Sequence, residues 1–266
     1  MEGLIIARGK GSRMKYFSVF VPKILFPLVT VEERALVLRP MLDFILKRFE
    51  YIGVEKTTVL TTEDSKLVED YCVKAKLEKV YVYFAPYDLK PRGFGGSLLL
   101  AKGIINSDFI LSADDNLFDP KIYKIGRELF EKEGADALLI VHRVSDPSKY
   151  GVIVGNLIGK YNGLNEYEVK EIVEKPKQYI SDIASSAVYF FKPTVFEALS
   201  KINENQREII EIPEAISHMI KNGRKVIALE SKSPWLNTGE VDHYIIALET
   251  TYKMALKKLK KLQLLG

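Results

Sequence analysis

Apolar positions along the chain gather into short compact runs separated by longer amphipathic stretches. Gly3 to Ala7, Thr57 to Thr61, Val80 to Phe84, Phe109 to Ala113 and Ala137 to Val141 have strand length and little alternation, the pattern of strands covered on both faces. Between them Met41, Leu42, Ile45, Leu46, Phe49 and Ile52 follow helical spacing, and Gly53 ends that helix. Asp64 to Lys74 and Ile122 to Phe130 read as further helices, and Pro91 to Ser97 as a glycine-rich turn running into an apolar helix from Leu98 to Ile105. Strands alternating with helices predict an α/β fold, a mostly parallel sheet with helices on both faces. The rhythm changes after Tyr150. Gly151 to Gly155, Glu168 to Glu174 and Ser185 to Phe191 are strand-like with long polar connections, which predicts an added, partly antiparallel region. Ile212, Ala215, Ile216, Met219 and Ile220 mark another helix, Val226 to Leu229 a strand, and a helix from about Val241 closes the chain. The expected organisation is one α/β unit over 1–240 with a basic amphipathic helix over 241–266 packed on or beside it.

Such sheets bind ligands beyond the C-terminal ends of their strands. The first apolar run ends in Arg8-Gly9-Lys10-Gly11-Ser12-Arg13, where glycines let the backbone turn sharply and bring its N–H groups to an anion. The spacing fits neither familiar phosphate loop. Five residues separate Gly3 from Gly9-Lys10 and Gly11 follows the lysine, while Met14 stands where a dinucleotide loop needs its third glycine. Val19 to Val29 carries Pro22 and Pro27 and predicts an extended loop pinned on the core by its apolar residues; Lys23, the one charge inside it, either snorkels to water or, as the proline frame favours, is held to meet an anion. Asp114 and Asp115 follow a buried strand directly; their hard oxygens suit magnesium bound with nucleotide phosphates, although a helix cap or turn role is the blander alternative for Asp114.

Composition removes several alternatives. The formal charge is +4, with 39 basic against 35 acidic residues, and no basic stripe interleaved with aromatics precedes the C-terminus, so a nucleic-acid partner is not expected. Cys72 is the only cysteine, which excludes an internal disulfide and any multi-cysteine metal site; its place on an amphipathic helix favours packing over reactivity. His142, His218 and His243 share no ligand spacing. There is no signal-peptide pattern and no apolar stretch of membrane-spanning length, so a soluble cytoplasmic protein without a membrane partner is expected. The lysine-rich terminal helix reads as a solvated packing helix rather than a membrane anchor.

Taken in order, the motifs resemble those of the sugar-phosphate nucleotidyltransferases, the glucose-1-phosphate thymidylyl- and uridylyltransferases and mannose-1-phosphate guanylyltransferases. Leu4-Ile-Ile-Ala-Arg-Gly-Lys-Gly-Ser-Arg-Met14 is similar to the family opening L-x-x-A-G-G-x-G-T-R-L, Pro22-Lys-Ile-Leu-Phe-Pro27 to P-K-P-L-x-P, and Gly93-Phe-Gly-Gly-Ser-Leu98 to G-T-A-G-A-L. Asp115-Asn116 is similar to the strand-end G-D-N, and Tyr150-Gly151-Val152 and Glu174-Lys175-Pro176 match Y-G-V and E-K-P. Ser185-Ser-Ala-Val-Tyr-Phe-Phe191 answers N-A-G-I-Y-x-F, and Trp235-Leu-Asn-Thr-Gly239 answers W-x-D-x-G. The resemblance covers Gly3 to about Gly239 and implies a Rossmann-like fold whose antiparallel insertion binds a sugar. It also implies a reaction: a nucleoside monophosphate passes from an NTP to a sugar-1-phosphate, releasing pyrophosphate.

On that resemblance Arg13 and Lys23 would neutralise the phosphates. Ala7, Arg8, Gly9, Gly11, Ser12, Gly93 and Gly96 would surround the nucleotide. Tyr150, Gly151, Glu174, Lys175 and Ser185 would hold the sugar phosphate, and Asp115 with Asn237 the magnesium (Mg2+). The sequence departs from the family pattern in two places at the reaction centre, Arg8 and Asn237, and in the sugar pocket. Arg8 replaces a loop glycine, Asn237 replaces a second metal-binding aspartate, and Ser185 and Ala187 replace the Asn and Gly of the sugar pocket. Asp114 is a candidate for the missing carboxylate. Two readings therefore stand: an active enzyme with altered metal ligation, and a weak or inactive relative that binds nucleotide or nucleotide sugar as a regulatory or structural subunit. The base, the sugar and any homo-oligomer stay open.

Overall fold

The computed structural model describes residues 1–9, 11–14 and 16–264; Lys10 of the opening loop lies outside the described residues. In chain order the first half comprises β1 (Glu2–Ala7), α1 (Phe17–Phe20), β2 (Pro27–Glu32), β3 (Ala35–Pro40), α2 (Met41–Tyr51), β4 (Thr57–Thr61), α3 (Lys66–Lys74), β5 (Val80–Phe84), α4 (Gly93–Leu99), β6 (Phe109–Ala113), β7 (Asn116–Leu117) and α5 (Pro120–Glu133). The second half comprises β8 (Ala137–Arg143), β9 (Gly151–Tyr161), β10 (Leu164–Glu174), β11 (Ile183–Phe191), α6 (Thr194–Asn203), α7 (Ile212–Lys221), β12 (Val226–Glu230), β13 (Leu236–Asn237) and α8 (Val241–Leu264).

Nine strands form one sheet in the order β5-β4-β1-β6-β11-β8-β12-β10-β9. The run β5-β4-β1-β6 is parallel throughout, as the β-α alternation predicts. β11 enters antiparallel beside β6 and β8, and β10 and β9 extend the far edge antiparallel. The antiparallel region thus continues the same sheet. Side chains alternate across it: Leu4 and Ile6 join one apolar cluster with α4, α6 and α7, while Ile5 and Ala7 join a second with α2, α3 and α5. Each fully buried aliphatic side chain in these two layers contributes roughly 1.5–3 kcal/mol.

Several elements depart from expectation for identifiable reasons. The stretch Val19 to Val29 is not an extended loop pinned throughout on the core. Val19 and Phe20 project from α1 into solvent, Lys23–Leu25 forms a 3-10 turn, and Pro27 opens β2, the strand position that tolerates proline. Of its apolar residues only Ile24, Phe26 and Leu28 are buried there. β9 and β10 are eleven residues each and are joined by Asn162-Gly163, both at positive φ, in place of the long polar connection expected. The glycine-rich stretch at Gly93 is itself the start of α4, which ends at Leu99. α8 lies on the β2–β3 hairpin: the Val29 N–H donates to Thr251 Oγ1 at 3.3 Å, and the Tyr244 hydroxyl donates to the Pro27 carbonyl at 2.9 Å. Cys72 is buried on α3, and burial pushes its thiol up to about 11, consistent with packing. Among the described residues no helix is long and apolar enough to cross a membrane.

Candidate active site

β1 and β6 are parallel neighbours with Ile6 opposite Ala113, so the two segments that follow them leave the sheet side by side. That register sets Arg8-Gly9 next to Asp114-Asp115. Three cavities meet there. One of about 320 Å3 is lined by Ala7, Arg8, Gly9, Lys23 and Asp114. A second of about 420 Å3 is lined by Arg8, Gly9, Arg13, Gly93, Asp114 and Asp115. A third of about 610 Å3 is lined by Arg13, Asp115, Tyr150, Gly151, Glu174, Lys175, Ser185 and Asn237. Arg13 and Asp115 border both of the larger compartments. Residues from Ala7 to Asn237 are thereby gathered at one rim of the sheet.

Lys23 is the buried hub. Its ammonium donates to Asp115 Oδ2 at 2.8 Å and to Asp114 Oδ1 at 3.2 Å. Burial alone would lower the lysine pKa, but Asp114 and Asp115 outweigh it, and the group is held well above its ordinary range. Burial raises the Asp114 carboxyl, to about 6, with Lys23 pulling the other way. The other face of Asp115 is fixed by a chain of amides. Asn116 Nδ2 donates to Asp115 Oδ1 at 2.7 Å, while Asn116 Oδ1 accepts from Trp235 Nε1 at 2.7 Å and from Asn237 Nδ2 at 3.0 Å. The antiparallel pair β7–β13, with Asn116 opposite Asn237, holds this chain in register.

The residues at this junction fit a magnesium ion. A Cβ added to Gly239 would lie 2.8 Å from Asp115 Oδ2 and 3.0 Å from Asn237 Oδ1, so both oxygens border one small space. Magnesium takes one or two carboxylates and completes its octahedron with water and substrate phosphates. Among the described residues no group of three His, Cys, Asp or Glu side chains forms a closed metal cage. Asn237 keeps a hard carbonyl oxygen but brings no charge; that oxygen accepts from the Gly239 N–H at 2.8 Å. Asp114 lines the 320 Å3 and 420 Å3 cavities and not the 610 Å3 compartment that Asn237 lines.

The other expected residues divide. Arg13 pairs with Glu240 at 2.8 Å on the surface, a contact worth at most about 1 kcal/mol and readily exchanged. Lys175 Nζ lies 3.2 Å from Glu174 Oε1, and Ser185 Oγ donates to the Tyr189 hydroxyl at 2.8 Å. Gly11, Ser12 and Gly96 do not line these three cavities. Gly11 has φ +63 and packs on Ser18 and the Lys23 stem, and Ser12 starts an exposed 3-10 turn. Gly96 lies so close to the Pro91 carbonyl that a Cβ would come within 2.2 Å of its oxygen; this glycine serves helix packing. The sequence reading missed Glu211, which borders both larger compartments and accepts from the Phe94 N–H at 3.1 Å. Its only sequence signal is a helix start at Ile212-Pro213. It also missed Glu240 as the partner of Arg13.

Known proteins are similar to this chain in sequence and in fold. The description of the nucleotidyl transferase family matches residues 2–253. The UTP–glucose-1-phosphate uridylyltransferase AglF of Haloferax volcanii is 27% identical over 231 residues, covering 86% of this chain and 87% of that protein. A glucose-1-phosphate thymidylyltransferase of Streptomyces antibioticus is 27% identical over 91% of this chain and 63% of its own length. The bifunctional protein GlmU of Methanococcus maripaludis is 26% identical over 90% of this chain, which spans 51% of it. In structure, a UDP-glucose pyrophosphorylase complexed with UDP-glucose superposes with a TM-score of 0.80 at 24% identity, covering 95% of this chain and 98% of that one. The UTP-bound UGPase of Acinetobacter baumannii gives a TM-score of 0.77 at 20% identity, with coverage of 99% and 98%. These likenesses carry the fold, and with a family match running over nearly the whole length, the chain belongs to the nucleotidyl transferase family.

Proposed function

We propose that this protein transfers a nucleoside monophosphate from an NTP to a sugar-1-phosphate, giving a nucleotide sugar and pyrophosphate. The observation that carries the reading is the pair of compartments sharing Arg13 and Asp115 as a common border. A triphosphate in the 420 Å3 compartment and a sugar phosphate in the 610 Å3 compartment would meet there, with the attacking phosphate oxygen facing the α-phosphorus. The nucleophile is already ionised, so no general base is required. Catalysis becomes placement and charge neutralisation.

Lys23, permanently protonated between its aspartates, supplies fixed positive charge beside the phosphates. Arg13 can exchange Glu240 for the triphosphate. Lys175 takes the sugar phosphate, Glu174 and the Ser185 hydroxyl take sugar hydroxyls, and Tyr150 beside Gly151 walls the sugar. Asp115 and Asn237 would hold magnesium, which when bound supplies further positive charge to the phosphates. The names of the relatives, uridylyl- and thymidylyltransferases acting on glucose-1-phosphate, support this substrate class. The absence of a nucleic-acid-like charge pattern and the single buried thiol support a cytoplasmic metabolic enzyme.

Incubating the protein with magnesium, each nucleoside triphosphate in turn and glucose- or mannose-1-phosphate, and measuring pyrophosphate, tests the proposal. Release with at least one pair is expected. No release with any pair, together with thermal stabilisation by a nucleotide sugar, would favour the binding role that Asn237 at a metal position suggests.

A further inference from the structure

Arg8 is a buried cation for which the described residues offer no carboxylate partner. It is 7% exposed, and no ion pair forms on it. Nη1 donates to Ser97 Oγ at 3.1 Å, Nη2 donates to the Pro86 carbonyl, and Nε is buried without a partner. Burying an uncompensated guanidinium is costly, and stability alone gives no reason to keep it.

Its location narrows what it meets. Arg8 borders the 420 Å3 compartment but not the 610 Å3 one. It therefore belongs to the compartment assigned above to the triphosphate and not to the one assigned to the sugar phosphate. Beside it are Tyr87, Phe94 and Gly93, an aromatic and backbone setting suited to a flat ring. A guanidinium has five donors and no acceptor, so the edge it faces must present acceptors. It pairs with the O6 and N7 edge of guanine in nucleic-acid complexes for this reason.

We infer that Arg8 is a specificity-determining residue that selects nucleobases carrying an exocyclic oxygen on the edge it faces (O4 of uracil or thymine, O6 of guanine) over cytosine and adenine, which carry an amino group at that place. The inference rests on the nucleotidyltransferase reading above. It does not follow from that reading, which a backbone-only loop at position 8 would satisfy equally.

The test is competition binding of the magnesium complexes of UTP, dTTP, GTP, ATP and CTP, and of inorganic tripolyphosphate, to the full chain and to Arg8→Ala and Arg8→Lys. The native protein is expected to bind at least one of UTP, dTTP and GTP tenfold or more tighter than ATP and CTP. Arg8→Ala should bring the five within about threefold. Arg8→Lys, which keeps the charge and stem but loses the planar fork, should lose most of the discrimination and serves if the alanine variant fails to fold. An unchanged ratio in both variants overturns the role of Arg8 while leaving the transferase reading intact. Equal weakening of all five nucleotides and of tripolyphosphate assigns Arg8 to the phosphates and also overturns it. Failure of the native protein to bind any nucleotide overturns both.

Discussion

Lys23 and Asp115, 92 positions apart in sequence, are joined by a buried 2.8 Å contact that closes the floor of the cleft. The pair with Asp114 makes one cation answer two carboxylates, so removing the cation leaves both without it. Breaking a buried pair from one side costs about 3–5 kcal/mol. Lys23→Met should lower unfolding free energy by that amount at pH 8 in urea denaturation. Part of the loss should return toward pH 5, because the Asp114 carboxyl, which burial holds high, takes up a proton readily once the lysine is gone. The variant should also lose stabilisation by nucleotide; an unchanged nucleotide-induced melting shift would remove Lys23 from the site.

Asn237→Asp examines the metal position. The native amide donates to Asn116 Oδ1 at 3.0 Å, and a carboxylate there would oppose one acceptor with another. It would also bring a second negative charge to the space bordered by Asp115 Oδ2. Without metal the variant should lose about 1–2 kcal/mol. With magnesium or manganese it should recover, and the metal concentration giving half-maximal thermal stabilisation should fall roughly tenfold, in keeping with one added carboxylate ligand. Identical metal titrations for both proteins would take Asn237 out of the metal shell.

The parallel half of the sheet was legible because its signals are local: compact apolar runs for β1, β4, β5, β6 and β8, and helical spacing for α2 and α5. The β2–β3 hairpin was not, because its turn residues Glu33 and Arg34 adopt φ of 46 and 61 without the glycine or asparagine that usually announces such a turn. Asn162-Gly163 does carry that signal, between strands with many polar residues. At the site, strand ends and glycines pointed to the correct rim. What the sequence could not convey is pairing at a distance: that Lys23 answers Asp114 and Asp115, that Arg13 answers Glu240, and that Arg8 turns inward to Ser97. Such contacts depend on the register of β1 against β6, which no local pattern encodes.

Ala187 occupies a left-handed conformation, φ 55, at the irregularity in β11 between Ser185 and Tyr189. A residue with a Cβ is strained there by about 1–2 kcal/mol, whereas glycine is not. Part of that gain is returned through the looser unfolded chain. Ala187→Gly should therefore stabilise the protein by roughly 0.5–1 kcal/mol in urea denaturation, the reverse of the usual alanine-to-glycine result. Destabilisation of similar size would show that the alanine methyl packs more than it strains.

His142, on β8, is 7% exposed, and neither ring nitrogen has a hydrogen-bond partner among the described residues. Its ring lies 4.1 Å from that of Trp235 and near Tyr150 and Phe118, and burial among these rings lowers its pKa from 6.5 to about 4. The unfolded chain thus takes up a proton near pH 6.5, while the folded protein resists until about 4. Acidification through that window favours unfolding, so the stability contributed by the neutral ring is present above pH 6.5 and is lost as pH falls toward 4. The full difference is roughly 3 kcal/mol. Other carboxylates titrate in the same range, and His142→Phe separates them by keeping an aromatic ring against Trp235 while removing the titration. Unfolding free energies measured from pH 7.5 to 4.5 should diverge below pH 6.5, the native protein losing more stability than the variant with each step. Parallel curves would mean that folding leaves the His142 pKa where it stands in the unfolded chain, and would sink the claim that burial against Trp235 and Tyr150 lowers it.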